Sequence, residues 1–185
     1  MIQKKIKWYN NKKFLVSLIG VFIIGIMVLS TLNIFETKDK SNTLKYKNYI
    51  FSKQSDQWLT IINGQQVSFS YNPLDLQNLT LPYFSFAIPK IYVAYDNIDI
   101  ENERFVIQRA YSMFQYLNIK PVISCYSEQE CPDIPLINCL NDDSLYLKYS
   151  NDTKVYIEDK CLVIEGNQEY QLMYLDKIFY NLLGI

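Results

Sequence analysis

Twenty-two consecutive residues, Phe14 to Phe35, carry no charge, and five lysines (Lys4, Lys5, Lys7, Lys12 and Lys13) stand ahead of them. A helix needs roughly 20 apolar residues to cross the hydrocarbon core of a bilayer, so this run is long enough. Beyond it Glu36, Lys38, Asp39 and Lys40 nearly cancel one another. Lysine-rich flanks stay on the cytoplasmic side. The sequence therefore predicts a single-pass protein of the cell membrane, with a cytoplasmic basic tail over 1–13 and a transmembrane anchor over 14–35. A polar tether over 36–47 and an extracytoplasmic domain over 48–185 should follow.

A cleavable signal peptide has a shorter apolar region, about 7–15 residues, closed by small residues. The exit here, Ser30-Thr31-Leu32-Asn33-Ile34-Phe35-Glu36, offers no such site. Trp8 and Tyr9 sit where an interfacial aromatic belt is expected. No charge marks an ion path within the run. Gly20 and Gly25 are five apart, the wrong spacing for a close-packing Gly-x-x-x-Gly face. The run reads as a plain, uncleaved tether.

The four cysteines, Cys125, Cys131, Cys139 and Cys161, all follow the anchor. In an oxidising compartment an even count favours disulfides. Their spacings do not suit zinc, and the chain has no histidine to complete a metal site or serve as a catalytic base for a thiol. Of three possible pairings, Cys125 with Cys131 and Cys139 with Cys161 is preferred, because the short loop closes locally and leaves a strand-to-strand bridge.

The chain holds 18 basic and 19 acidic residues, and without the five leading lysines the balance is 13 to 19. A mildly acidic domain with scattered lysines is not a nucleic-acid binder. Its size suits one domain with its own core.

Asn63-Gly64 between Gln57–Ile62 and Gln65–Tyr71 is a strong hairpin signal, because a type I′ turn needs positive φ at both central residues. Strands are also expected at 48–53, Lys90–Tyr95, Pro121–Cys125, Ile134–Cys139, Leu145–Tyr149, Lys154–Glu158 and Cys161–Glu165. Amphipathic helices are expected over Glu101–Leu117, with Val106, Ala110, Met113 and Leu117 in one stripe, and over Gln168–Leu183. The strand, helix and strand from 90 to 125 imply a parallel pair with a right-handed crossover. Residues 73–89 fit a short helix or an extended loop. The expected fold is α+β, a mixed, mostly antiparallel sheet with two helices.

Asp96, Asp99, Glu101 and Glu103 form the densest acidic cluster. Such oxygens suit a hard cation, but Asp and Glu also belong in a first helical turn, where they cap free N–H groups; the capping role is preferred. Tyr83-Phe84-Ser85-Phe86 would grip a sugar or peptide if exposed, or cover the core. Asp142-Asp143 reads as a turn. Asn78-Leu79-Thr80 and Asn151-Asp152-Thr153 match the N-glycosylation acceptor. Nucleophile elbows, phosphate loops and nucleotide fingerprints are missing from the sequence. No catalytic, cofactor-binding or metal residue is therefore assigned, and no cofactor is expected.

Asn63-Gly64 with VSFSYNP at 67–73, TKVYIEDKCLVIEG at 153–166 and the terminal Leu182-Leu183-Gly184-Ile185 carry a resemblance. Over most of residues 46–185 the chain resembles an uncharacterised family of small, single-span archaeal proteins. The resemblance implies a membrane-anchored, extracytoplasmic domain and no catalytic residue. The expected function is a binding or structural module for an unknown envelope protein or glycan. The alternatives are a small carboxylate-dependent enzyme acting on glycans and an accessory subunit of a membrane complex.

Overall fold

The computed structural model describes residues 12–33, 42–86, 89–96, 100–127 and 131–185. They fall into two compact units that divide between Thr43 and Leu44. The first contains helix α1, Lys12–Asn33. Over residues 16–28 its apolar side chains point outward on all sides, with Val16, Val21, Phe22 and Met27 each about two-thirds exposed. Among the described residues no helix is long and apolar enough to cross a membrane. The expected basic tail up to residue 11 and the tether over 36–41 lie outside the described residues.

The second unit begins with strands β1 Thr43–Tyr46, β2 Tyr49–Gln54, β3 Gln57–Ile62 and β4 Gln65–Phe69, arranged in that order as one sheet. The expected tether thus ends earlier than residue 47, because Leu44 and Tyr46 alternate onto the core. The pairs β2–β3 and β3–β4 are antiparallel. Asn63 and Gly64 take the positive φ values, 50° and 79°, that the hairpin turn requires.

A second, five-stranded sheet follows, from β5 Lys90–Tyr95, β6 Lys120–Cys125, β7 Ser144–Tyr149, β8 Lys154–Glu158 and β9 Cys161–Gly166. Helix α2, Ile100–Tyr116, makes the expected parallel crossover between β5 and β6, and α3, Gln168–Leu182, closes the chain. The strand order is β6-β5-β7-β9-β8. Four of these strands run parallel, and only β8 opposes them. The fold is α+β with mixed sheets, but the expectation of one mostly antiparallel sheet is corrected. Hairpin signals report only sequential neighbours; here β8 goes to the outer edge and β9 returns between it and β7. Residues 134–139 form no strand beyond a single bridge, Cys125 to Leu136. Pro132 and Pro135 remove ladder donors from this segment, and residues 73–78 are turns rather than a helix.

The main core lies between the sheets and the two helices. Ile91, Val93, Leu145, Leu147, Leu162 and Ile164 point from the five-stranded sheet, meeting Val106, Ala110 and Met113 of α2 and Leu175 and Phe179 of α3. From the other sheet come Phe51 and Phe69, and Phe69 stacks on Tyr180 with centroids 4.2 Å apart. Asn167 caps α3 by accepting the Tyr170 N–H at 2.9 Å.

One ion pair joins these parts. Asp176 of α3 is fully buried and accepts from Arg109 of α2 at 3.1 Å and from the backbone N–H groups of Ser70 (2.6 Å) and Tyr71 (3.0 Å). Arg109 also donates to the Ser68 carbonyl. The pair satisfies part-buried backbone groups at and just beyond the free edge of β4. Burial raises the Asp176 pKa, against the Arg109 charge and the N–H donors that favour the anion.

Candidate binding surface

Because side chains alternate along a strand, each of β5, β7 and β9 sends one set to the helices and one to the opposite face. The opposite set is different in kind. In register across the sheet stand Ala94, Tyr146, Val163 and Tyr156, and the next row toward the carboxyl ends of the parallel strands holds Lys148, Glu165 and Lys154. Asp96 follows Tyr95, which pairs with Leu147, and so falls beside Lys148 in that row. The row alternates in sign: Asp96, Lys148, Glu165, Lys154. Carboxyl ends of parallel strands are a recurrent place for ligands in open sheets.

The groups are wired together. Tyr146 donates to Asp96 Oδ2 at 2.6 Å, and the Tyr126 ring stacks on Tyr146 at 4.2 Å between centroids, 14° from parallel. Glu165 accepts from Tyr156 at 3.4 Å and pairs with Lys148 at 3.3 Å. Burial, then the bond to Asp96, pushes the Tyr146 hydroxyl pKa well above its ordinary value, so it stays a donor. Burial lowers the Lys148 pKa, but the Glu165 carboxylate outweighs it and the net shift is upward. Tyr126, Tyr156 and Lys148 are half-buried rather than sealed.

The disulfides are Cys125–Cys131 and Cys139–Cys161, the pairing preferred on loop closure, and the second lies on this face. Cys139 and Ile137 pack with Tyr146, Cys161 and Val163, so the stapled segment covers one end of the face and leaves the charged row at the other.

Of the acidic cluster, Asp96 belongs to the array, where it accepts from Tyr146. Asp99 lies outside the described residues; Glu101 and Glu103 are in the first turn of α2. Among the described residues no group of three acidic or cysteine side chains could hold a metal. Phe84 and Phe86 pack on each other, and Phe86 meets Phe114 edge-on, so these two rings cover the core, while Tyr83, 93% exposed, and Ser85 turn out. Asp142 accepts from the Asn138 N–H in the turn before β7. Asn78 and Asn151 are exposed. The sequence reading passed over Tyr126, Tyr146, Lys148, Tyr156 and Glu165. A signal was present: Tyr146 and Lys148 alternate with Leu145 and Leu147.

No family model, curated protein or solved structure matches this chain.

Proposed function

We propose that this protein is a membrane-anchored module whose extracytoplasmic domain binds an envelope protein or glycan through the open face of its five-stranded sheet. The carrying observation is the row Asp96, Lys148, Glu165 and Lys154 beside the tyrosines, set by the register of the strands, with the Cys139–Cys161 disulfide on the same face. Tyrosine is enriched where proteins meet partners, because its ring supplies contact area and its hydroxyl a directed bond. The anchor reading is supported by the outward apolar side chains of α1, since a helix apolar all round is suited to lipid or a protein interior rather than water. The family resemblance agrees with that placement.

The carboxylate-enzyme alternative gains less. Asp96 and Glu165 stand on one face with Lys148 between them, instead of facing each other across a substrate. Each already accepts a hydrogen bond from a tyrosine.

Two measurements test the proposal. Protease added to intact cells should remove the domain; full protection would overturn the topology. A photocrosslinking residue placed at position 156 should capture an envelope protein or glycan, and Tyr126→Ala with Lys148→Ala should abolish capture. Capture that persists in the double variant, or none in the parent, would remove this face as the binding surface.

A further inference from the structure

The four-stranded sheet differs in charge from the rest of its unit. Residues 42–71 hold three lysines and one aspartate, whereas residues 72–185 hold eight basic and sixteen acidic residues, a net of −8. No acidic residue lies on β1 to β4; Asp56 is in the β2–β3 turn.

One face of this sheet is closed by Phe51 and Phe69 against α3. The other is open. Ile50 and Ile61 are 66% and 68% exposed there. With Leu59 they line a groove of about 440 Å³ whose rim is uncharged, including Ser52, Gln54 and Gln66. Leu44 and Tyr46 pack on the core, so the exposed Lys45 between them points to the same side as Ile50. Lys47 is exposed in the adjoining turn, where its ammonium donates to the Gly184 carbonyl at 3.4 Å.

We propose that this open face lies on an anionic lipid surface, with Ile50 and Ile61 entering the headgroup layer, Lys45 meeting its phosphates and Lys47 joining it by exchanging the Gly184 carbonyl for a phosphate. Apolar side chains ringed by uncharged polar groups and flanked by lysines suit an interface whose depth is apolar and whose surface is negative. The acidic remainder of the unit is repelled by the same surface, so charge alone orients the domain.

The test uses residues 42–185, which contain the whole core and both disulfides. They should co-sediment with vesicles of mixed phosphatidylcholine and phosphatidylglycerol, less with phosphatidylcholine alone, and less as salt rises. Ile50→Ser with Ile61→Ser should weaken binding roughly tenfold or more. Lys45→Gln with Lys47→Gln should erase the preference for phosphatidylglycerol. Leu140→Ser, which removes an apolar side chain that is 63% exposed elsewhere, should change neither. Circular dichroism checks that each variant is folded. Failure to sediment, or equal sedimentation by the paired isoleucine variant, overturns the proposal. So does a dimer in light scattering that Ile61→Ser dissolves, because a second copy would then cover the face. The fragment lacks α1, so its failure leaves the anchor reading standing. Full-length chain released from membranes by carbonate would defeat the anchor without touching the vesicle result.

Discussion

The two faces of the five-stranded sheet are made by the same strands, in the same register, from alternate residues. On the helix side Val93, Leu145, Leu147, Leu162 and Ile164 are essentially sealed, and α2 and α3 cover them. On the other side Tyr146 and Val163 are covered by a disulfide-bound segment, while Lys148, Tyr156 and Asp96 stay half-buried. Helices supply broad apolar cover because their side chains repeat every three to four residues. A short irregular segment cannot, so the uncovered end of the sheet carries polar groups that satisfy one another. A stable scaffold and a candidate surface are thus separated by one residue of register.

The contrast predicts that damage on the helix side costs more stability. Asp176→Ala should have the largest effect, about 3–5 kcal/mol, because it leaves Arg109 buried without its partner and two backbone donors unsatisfied. Urea denaturation measures it, and a loss under 1 kcal/mol would show that water readily reaches the pair. Next, replacing both Cys139 and Cys161 by alanine should cost about 3 kcal/mol, and replacing Cys125 and Cys131 about 2 kcal/mol, following the lengths of the loops they close. Equal losses would mean that packing against Val163 matters more than loop length. Tyr146→Phe removes one hydrogen bond on the open face and should cost about 1–1.5 kcal/mol. If it cost as much as Asp176→Ala, the two faces would not differ as argued.

The smallest effect near neutrality becomes visible in alkali. Burial raises the pKa of both Tyr146 and Tyr180 above the unfolded value of about 10. The folded state therefore holds these protons more tightly. Their contribution to stability is complete below about pH 10 and is lost as pH rises beyond it. Urea midpoints measured from pH 8 upward should fall above pH 10, and less steeply in Tyr146→Phe with Tyr180→Phe. An unchanged slope would mean that neither hydroxyl is shielded.

Much of the fold was legible locally. Gln57–Ile62, Lys90–Tyr95 and Lys154–Glu158 are strands at the expected limits, α3 ends one residue before its expected limit, and Asn63-Gly64 turns as its φ values require. The β5–α2–β6 crossover followed from element order. Illegible were the insertion of β9 between β7 and β8, and the failure of 134–139 to pair as a strand. Both depend on contacts between residues distant along the chain. The binding surface was hidden for the same reason: Asp96, Tyr146 and Glu165 belong to three strands that meet only after the parallel register is set.

By itself the sequence determined the charge-free run from Phe14 to Phe35, the lysines before it, and four cysteines without a histidine. These are statements about solvent and chemistry, which composition and local order carry. Tertiary structure alone decided that Arg109 and Asp176 would tie the end of β4 to the helices, and that four charges of alternating sign would share one row. Burial and register are properties of pairs of segments, and no single stretch of chain contains them.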